Sequence, residues 1–350
     1  LVTVGTDGRI LTSIDGRTWT TQNSGTTEWL VGVTYGGNQF VAVGDHGTIL
    51  TSPDGAAWTR AVDSATSQRL NNVTYGAGKY VAVGEGGAIV TSSDAKTWTA
   101  RSSGVTTWLR GVAYSAAQNY FVVTGENGVL RTSADTVTWQ ADPVVSVPGD
   151  LEAAVPLVNY ATFVSIGEDG LVLSATRYRF SEWRNPSIGY YSWNWNQGTV
   201  GTNLRLRGIA EGANAIFAMG ENGALLSAPD ASGPWARLAT GTTANLVSGV
   251  FFGNTLFVVG ENETILQSEP IYNSRLINIS TRGQVTDARS MISGFVITGS
   301  APKQVLLRAA GPSLANFGVE GALAAPTLTL FDGAQRPFAV NSGWSTAPDS

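Results

Sequence analysis

Residues 30–60 read LVGVTYGGNQFVAVGDHGTILTSPDGAAWTR, and this stretch carries the pattern that decides the fold. Its apolar, β-branched and aromatic residues come in short runs separated by turn residues, which is typical of strands. The turn at 44–47 is a hairpin signal, because glycine adopts positive φ at little steric cost. The stretch therefore predicts strands at 30–35, 39–43 and 48–52, a turn at 53–55 and a fourth strand from Trp58.

The same unit recurs along the chain, each time with a strand that ends in Val-Gly or a close variant. The repeated glycines are Gly5, Gly44, Gly84, Gly125, Gly167, Gly220 and Gly260, with spacings of 39, 40, 41, 42, 53 and 40 residues. Seven copies of about 40 residues predict an all-β, seven-bladed propeller with one four-stranded sheet per blade. The first copy begins at its second strand, so eight blades with strands upstream of Leu1 is the alternative.

A motif of the form Ser-x-Asp-x-x-x-Trp lies between the third and fourth predicted strands. Its Asp and Trp residues are Asp15 and Trp19, Asp54 and Trp58, Asp94 and Trp98, Asp135 and Trp139, and, in a stretched copy, Asp230 and Trp235. An Asp carboxylate in such a turn can accept backbone N–H bonds, and the indole can fill apolar space between sheets. These residues are predicted to be structural.

The motif resembles the Asp-box, or BNR, repeat of sialidase-like and photosystem II assembly factor-like propellers. The resemblance covers about residues 1–270 and rests on four copies in register. It implies a propeller whose Asp boxes lie on the face away from the ligand site. It also raises a glycoside hydrolase of sialidase-like type as an alternative function.

The repeat stops after Pro270, which predicts a propeller over 1–272 and a second β domain over 273–350. Strand-like runs in the second domain are found at 276–280, 292–298, 304–309 and 327–331. The passage SRLINISTRG followed by GFVITGSAPKQVLLRAAGPSL resembles a module at the C-termini of large secreted bacterial proteins. The prediction is a small, incomplete β-sandwich with an open sheet edge, a feature that invites pairing with another chain.

Composition excludes several functions. The 350 residues include no Cys, which excludes a thiolate metal site. They include one His, His46, which excludes a two-histidine metal site and means that any Ser-His-Asp triad would have to use His46. A net charge of −5 argues against nucleic acid as a partner. No apolar run reaches the roughly 18–20 residues of a membrane helix. We therefore expect no metal, cofactor, nucleic acid or membrane insertion, and the low charge of 13% favours a bacterial extracellular or cell-surface protein.

An acidic residue follows the repeated glycine in six copies. These acids are Asp45, Glu85, Glu126, Glu168, Glu221 and Glu261, and Thr6 takes this place in the first copy. Strand order places them on one face, where they can form a ring around the channel mouth. A functional interpretation makes the ring a cation site or an electrostatic collar. A structural interpretation has each carboxylate bond turn amides or an Arg of a neighbouring blade. Repetition in every blade favours the structural interpretation.

The loops that lead into the innermost strands carry Arg and Trp on the same face. The candidates for ligand binding are Trp29, Arg69, Trp108, Arg110, Arg205 and Arg207. Arg and Trp near a channel mouth can bind an acidic or sugar ligand by bidentate bonding and stacking. The structural alternative is that the Arg side chains pair with the acidic ring.

An insertion between the fifth and sixth copies is rich in aromatic residues. It holds Trp183, Tyr190, Tyr191, Trp193 and Trp195 within thirteen residues. On a loop, such a cluster is a recognition surface, a plug over the channel or a surface that packs on the second domain. Of these places on the chain, it is the strongest candidate binding site.

The sequence favours a non-catalytic extracellular or cell-surface propeller. It would recognise a glycan or a protein, or act as a structural and assembly module. No residue is assigned a catalytic role. A further alternative is self-association through open β edges, which would build a fibre or surface array by strand addition.

Overall fold

The computed structural model describes residues 1–141, 147, 149–157, 162–182, 185–212, 215–271, 327–331 and 336–341. The chain divides into two compact units, Leu1–Ile271 and Tyr272–Ser350. Among the described residues, no helix has the length and apolar character needed to cross a bilayer.

The first unit is a seven-bladed propeller of antiparallel sheets, as predicted, and each blade runs in chain order from its inner to its outer strand. Blade 1 holds β1 (Val2–Val4), β2 (Ile10–Thr12) and β3 (Thr20–Gln22). Blade 2 holds β4 (Leu30–Gly36), β5 (Gln39–Gly44), β6 (Ile49–Ser52) and β7 (Thr59–Arg60). Blade 3 holds β8 (Leu70–Gly76), β9 (Lys79–Gly84), β10 (Ile89–Ser92) and β11 (Thr99–Arg101). Blade 4 holds β12 (Leu109–Ser115), β13 (Tyr120–Gly125), β14 (Leu130–Ser133) and β15 (Gln140–Ala141).

The remaining blades follow the same order. Blade 5 holds β16 (Leu151–Leu157), β17 (Thr162–Gly167), β18 (Leu171–Glu182) and β19 (Asn185–Thr199). Blade 6 holds β20 (Leu206–Gly212), β21 (Ala215–Gly220), β22 (Leu225–Ala228) and β23 (Ala236–Leu238). Blade 7 holds β24 (Leu246–Phe252), β25 (Thr255–Gly260) and β26 (Ile265–Gln267).

Blades 1 and 7 are neighbours, so the ring contains seven sheets. The phenyl ring of Phe257 in blade 7 lies against Gly16 of blade 1, where a Cβ would come within 2.1 Å of it. Arg9 of blade 1 also forms a salt bridge with Glu263 of blade 7. These contacts leave no space for another blade between them, so the eight-blade alternative is wrong.

The core lies between the blades. In blades 2 to 5 the Val and Ala residues of the second strands have almost no exposed surface, as Val41, Val43 and Ala82 illustrate at 0%. Side chains of successive blades share clusters: Val41 and Val43 of blade 2 pack with Tyr80 and Trp98 of blade 3. Each fully buried side chain of this size contributes about 1.5–3 kcal/mol, so packing between neighbours holds the ring together.

The Asp turns lie between the third and outer strands, on the face opposite the turns that carry the acidic series. In blade 3, Oδ1 of Asp94 accepts bonds from the Ser92 hydroxyl at 3.0 Å and from the N–H groups of Lys96 and Thr97 at 2.8 and 2.9 Å. The Trp98 indole donates to the Ala95 carbonyl at 3.0 Å. Asp15, Asp54 and Asp135 accept the corresponding bonds in their own turns. In the stretched copy, Asp230 accepts a bond from the Ser232 N–H at 2.9 Å.

These turns predict a loss of stability in acid. The backbone N–H groups of Thr97 and Lys96 and the Ser92 hydroxyl lower the pKa of Asp94 from 3.8 to about 2. A carboxyl group with a lowered pKa stabilises the fold above its unfolded pKa, and the contribution disappears as pH falls through the folded value. We expect the urea midpoint of unfolding to fall between pH 4 and pH 2.

The matched variant for that prediction is Asp94→Asn, whose amide oxygen can still accept N–H bonds but does not titrate in this range. The difference between its urea midpoints at pH 7 and pH 2.5 should be smaller than that of the wild type. Equal differences would show that Asp94 does not contribute to the acid sensitivity.

The second unit is described over one short sheet. β27 (Leu328–Phe331) pairs antiparallel with β28 (Pro337–Asn341), and β27 lies within the strand predicted at 327–331. The other predicted strands of this unit, at 276–280, 292–298 and 304–309, lie outside the described residues.

Candidate functional site

A β-bulge at the start of each inner strand shapes one face of the propeller. The inner strands of blades 2 to 7 all begin with a Leu that is 0% exposed, and the register with the second strand then skips one residue. The skipped residues are Val31, Asn71, Arg110, Glu152, Arg207 and Val247. The residues just before each Leu are Trp29, Arg69, Trp108, Asp150, Arg205 and Asn245. A bulge redirects the side chains next to it. We call these twelve positions, together with the acidic turn residues, the channel mouth.

The structure places all six Arg and Trp candidates of the sequence analysis at the mouth, and it adds Asp150 and Glu152. These two acids were missed because blade 5 reads DLEAAVP, with neither an Arg after its first Leu nor the glycine that follows the bulge in blades 2, 4 and 6. Alignment on Leu151, the equivalent of Leu109 and Leu206, reveals them.

Asp150 and Glu152 link Arg residues of two different blades. Arg110 lies with Nε 3.5 Å from Glu152 Oε1 and Nη2 3.7 Å from Asp150 Oδ2. Arg205 lies 3.0 Å from Asp150 Oδ2 and also bonds Glu152, whose side chain is 11% exposed. Burial lowers the pKa of Arg205, but the bond to Glu152 and the carboxylate charges around it outweigh burial and raise the pKa overall. We call these four residues the central ion cluster.

Five of the six acids in the predicted ring have a cationic partner. Asp45 lies 3.3 Å from Arg69, Glu126 lies 2.6 Å from Arg110, and Glu168 lies 3.1 Å from Arg205. Glu221 and Glu261 lie 3.3 and 3.9 Å from Arg207. Several carboxylates also accept an N–H at the start of the adjoining inner strand, as Glu168 does from Asp150 at 3.2 Å. The ring is therefore a set of paired charges, with Glu85 the member for which the described residues provide no ion pair.

Two Arg–Trp pairs border the mouth at blades 2 to 4. The guanidinium carbon of Arg69 lies 4.2 Å from the centroid of the Trp29 ring, and that of Arg110 lies 5.5 Å from the Trp108 ring. Trp29 is 43% exposed, and the Arg69 side chain is 22% exposed. Arg69 faces Asp45 through Nε, and its terminal nitrogens form no hydrogen bond among the described residues. We call Trp29, Arg69, Asn71 and Trp108, together with Glu85, the open quadrant.

The aromatic stretch does not form a loop, which corrects the prediction for this insertion. Residues Asn185–Thr199 form β19, which pairs with β18 in a long antiparallel hairpin that extends the outer edge of blade 5. Tyr191, Trp193 and Trp195 alternate with polar residues, a period-two pattern that favours a strand. Tyr190 lies opposite Phe180 in the same ladder, and Trp183 lies outside the described residues.

His46 and three of the candidate Arg residues each have their own acidic partner. His46 Nδ1 lies 2.8 Å from Glu28 Oε2, and this bond and the Glu28 charge raise the pKa of the imidazole. Arg69, Arg110 and Arg207 start three different blades and pair with different acids. In the part of the chain that the structure describes, no group of three His, Asp or Glu side chains is arranged to hold a metal ion.

The chain is similar to known propellers in sequence and in structure. The sequence profile of the DUF6242 beta propeller domain matches residues 33–170. No curated protein gave a significant sequence match. A structure described as YCF48 bound to D1 peptide is 19% identical, with a TM-score of 0.58, over 76% of this chain and 86% of the other.

Two further structures show how widely this fold is used. YCF48 from Cyanidioschyzon merolae is 17% identical, with a TM-score of 0.57, over 77% of this chain and 91% of the other. Virginiamycin B lyase from Staphylococcus aureus is 11% identical, with a TM-score of 0.58, over 75% of this chain and 92% of the other. At these identities the likeness establishes the fold alone, and function has to be argued from the site.

Proposed function

We propose that the propeller is a non-catalytic binding module that holds an extended peptide of a protein partner across the open quadrant of its channel mouth. The observation that carries this proposal is the Arg69–Trp29 pair. The Arg69 guanidinium stacks on the Trp29 indole, and its terminal nitrogens form no hydrogen bond among the described residues. The Trp29 side chain beside it is 43% exposed. Supporting it, a YCF48 propeller of the same fold has been solved with a D1 peptide bound.

The chemistry of the quadrant defines the peptide it would take. Stacking on Trp29 holds the Arg69 guanidinium in one plane, which suits bidentate bonding to a carboxylate. The faces of Trp29 and Trp108 provide apolar area for a side chain next to that carboxylate. Glu85, for which the described residues provide no ion pair, would accept a basic group of the peptide. A segment with an acidic residue, an apolar residue and a basic residue fits all three features.

The remaining parts of this function rest on sequence. We propose that the protein acts outside the cell or at the cell surface, because its charge content is 13% and it lacks Cys. We also propose that its Ser-x-Asp turns are Asp boxes and that residues 273–350 correspond to the C-terminal module of secreted bacterial proteins. A glycan remains the alternative ligand, since exposed indoles also stack on sugar rings.

Arg69→Gln tests this function. Full-length protein would be screened on an array of random peptides, and the strongest binders would be titrated in solution by fluorescence anisotropy. Loss of a charge-assisted bidentate contact costs about 2 kcal/mol, or roughly 30-fold in Kd. We expect that loss for Arg69→Gln, and a comparable one for Trp29→Ala.

The matched control is Arg237→Gln on the outer strand of blade 6, where Arg237 bonds the Asn222 carbonyl at 3.2 Å. Its peptide affinity should equal that of the wild type. Unchanged binding by Arg69→Gln, or binding to glycans without any binding to peptides, would refute the proposed function.

A further inference from the structure

His46 brings a titratable side chain to the rim of the open quadrant. Its ring Nδ1 lies 2.8 Å from Glu28 Oε2, and Glu28 comes directly before Trp29 in the chain. His46 itself follows Asp45, whose N–H donates to the Trp29 carbonyl at 2.9 Å and whose carboxylate lies 3.3 Å from Arg69. The two chain segments therefore hold the imidazole near the Arg69–Trp29 pair.

The turn itself does not require a histidine at this place. The second residue of the turn after each Val-Gly repeat has positive φ in all seven blades, and His46 has a φ of 52°. The residues at this place in the other blades are Asp7, Gly86, Asn127, Asp169, Asn222 and Asn262. Gly, Asn and Asp suit this conformation, and none of them carries a positive charge. Blade 2, which borders the open quadrant, thus differs from the other six in having a residue here that can become a cation.

Glu28 determines what the imidazole of His46 can offer to a peptide. A hydrogen bond to the Glu28 carboxylate requires a proton on Nδ1, so the neutral ring has its lone pair on Nε2. A lone pair at Nε2 repels a peptide carboxylate. Protonation places an N–H at Nε2, and the ring then donates to that carboxylate while it keeps its bond to Glu28. Because the His46 side chain is 77% exposed, a bound peptide can reach it.

Protonation also changes the charge balance on this side of the quadrant. The charged groups that act on the imidazole are Glu28, from the loop before β4, and Asp45, from its own turn. The bond to Glu28, then the Glu28 charge and the Asp45 charge, raise the pKa of His46 above its ordinary 6.5, and desolvation offsets part of this rise. With a neutral imidazole, the two carboxylates outnumber Arg69 by one charge. With an imidazolium the charges balance, so an acidic peptide meets less repulsion.

We propose that His46 is a further ligand-contacting residue of the peptide site, and that the propeller takes up a proton when it binds an acidic peptide. The imidazolium donates from Nε2 to the acidic group of the peptide, beside the Arg69 guanidinium. Because linkage between two ligands is reciprocal, protons strengthen peptide binding and the bound peptide makes His46 hold its proton more tightly. This inference deepens the proposed function and rests on it.

The repeat itself supplies the test variants: His46→Asn, because Asn127 holds this place in blade 4, and Glu28→Gln, because Gln68 holds the corresponding place in blade 3. The probe is the acidic peptide from the array that binds most tightly and depends on Arg69. Between pH 8.5 and pH 6.0, where a peptide carboxylate with a pKa of about 4 stays ionised, its Kd for the wild type should fall about fivefold. The Kd for His46→Asn should change less than about twofold, because no group near the peptide then titrates. Glu28→Gln should bind the peptide more tightly than the wild type at pH 8.5.

NMR measures the proton directly, because His46 is the single His of the sequence and its imidazole Hε1 signal is therefore unambiguous. In full-length protein labelled with 13C-histidine, the pKa of His46 should rise when the acidic peptide is added. A counterpart peptide with Asn or Gln at the acidic position should not raise it. An unchanged pKa, or a His46→Asn variant that keeps the full pH dependence, would overturn this inference and leave Arg69-dependent binding in place. Absence of any peptide that depends on Arg69 would refute the proposed function, and this inference with it.

Discussion

Gly84→Ala is expected to destabilise the propeller by about 3 kcal/mol, whereas Gly5→Ala should change its free energy of unfolding by less than about 0.5 kcal/mol. Gly84 ends β9, and Gly5 follows β1, which carries the same Val-Gly repeat; both glycines have extended backbone, with φ of −171° and −164°. Alanine adopts this conformation without strain. The difference therefore comes from the surroundings of the added methyl group.

A Cβ at Gly84 would lie 1.9 Å from the carbonyl oxygen of Arg69, the residue just before the inner strand of the same blade. The equivalent glycines of blades 2, 4, 5, 6 and 7 have a carbonyl oxygen at 2.0, 2.3, 1.9, 2.3 and 2.5 Å. At Gly5 no atom of the described residues lies within 4 Å of the added Cβ. The repeated Val-Gly of the sequence is thus a packing requirement between inner and second strands.

Urea denaturation followed by tryptophan fluorescence measures this difference. A large fall in midpoint for Gly84→Ala with an unchanged midpoint for Gly5→Ala is the expected result. Similar falls for both would show that the glycine serves backbone flexibility, or that a strand already covers Gly5.

Glu152→Gln should produce the second large effect, a destabilisation of about 2 kcal/mol. The Glu152 carboxylate lies between Arg110 and Arg205 and is only 11% exposed. Without that charge, Asp150 alone bridges the two guanidinium groups, while Arg110 keeps Glu126 and Arg205 keeps Glu168 as separate partners. Fully buried charges left unpaired cost about 3–5 kcal/mol, and these remaining partners lower that figure. The partial exposure of Arg110 and Arg205, at 23% and 28%, reduces that cost.

Glu261→Gln is the matched control, because its carboxylate is 48% exposed and lies 3.9 Å from Arg207. Exposed pairs of this kind contribute about 0–1 kcal/mol. The same urea titration compares the two variants. If Glu152→Gln is no less stable than Glu261→Gln, the central ion cluster does not hold blades 4, 5 and 6 together.

Sequence reasoning predicted the repeat accurately because each blade meets the same local demands. The glycine before each acidic turn and the Asp in each Ser-x-Asp turn are required by contacts within a single blade, so they recur at fixed spacing. Trp29, Arg69 and Arg110 were predicted at the mouth for the same reason: strand order fixes which loops share a face.

The sequence predicted less where the chain departs from the repeat. Glu152 was missed because blade 5 carries neither an Arg after its first Leu nor the following glycine. The aromatic stretch 183–195 was assigned to a loop because its place between blades suggested an insertion. Its aromatic and polar residues alternate from Tyr191 on, and the structure has a strand at Asn185–Thr199. Which acid each Arg of the channel mouth pairs with depends on distances between blades, and a local sequence pattern does not encode those distances.

Photo-crosslinking tests most directly whether the open quadrant binds peptide. A bound peptide with a benzophenone group beside its acidic residue would be irradiated on the full chain, and the crosslinked residues would be identified by mass spectrometry. Crosslinks to Trp29, Asn71 or Trp108 are the predicted result. Crosslinks confined to the Asp turns or to residues 185–199 would contradict the account, because they would place the ligand away from the channel mouth.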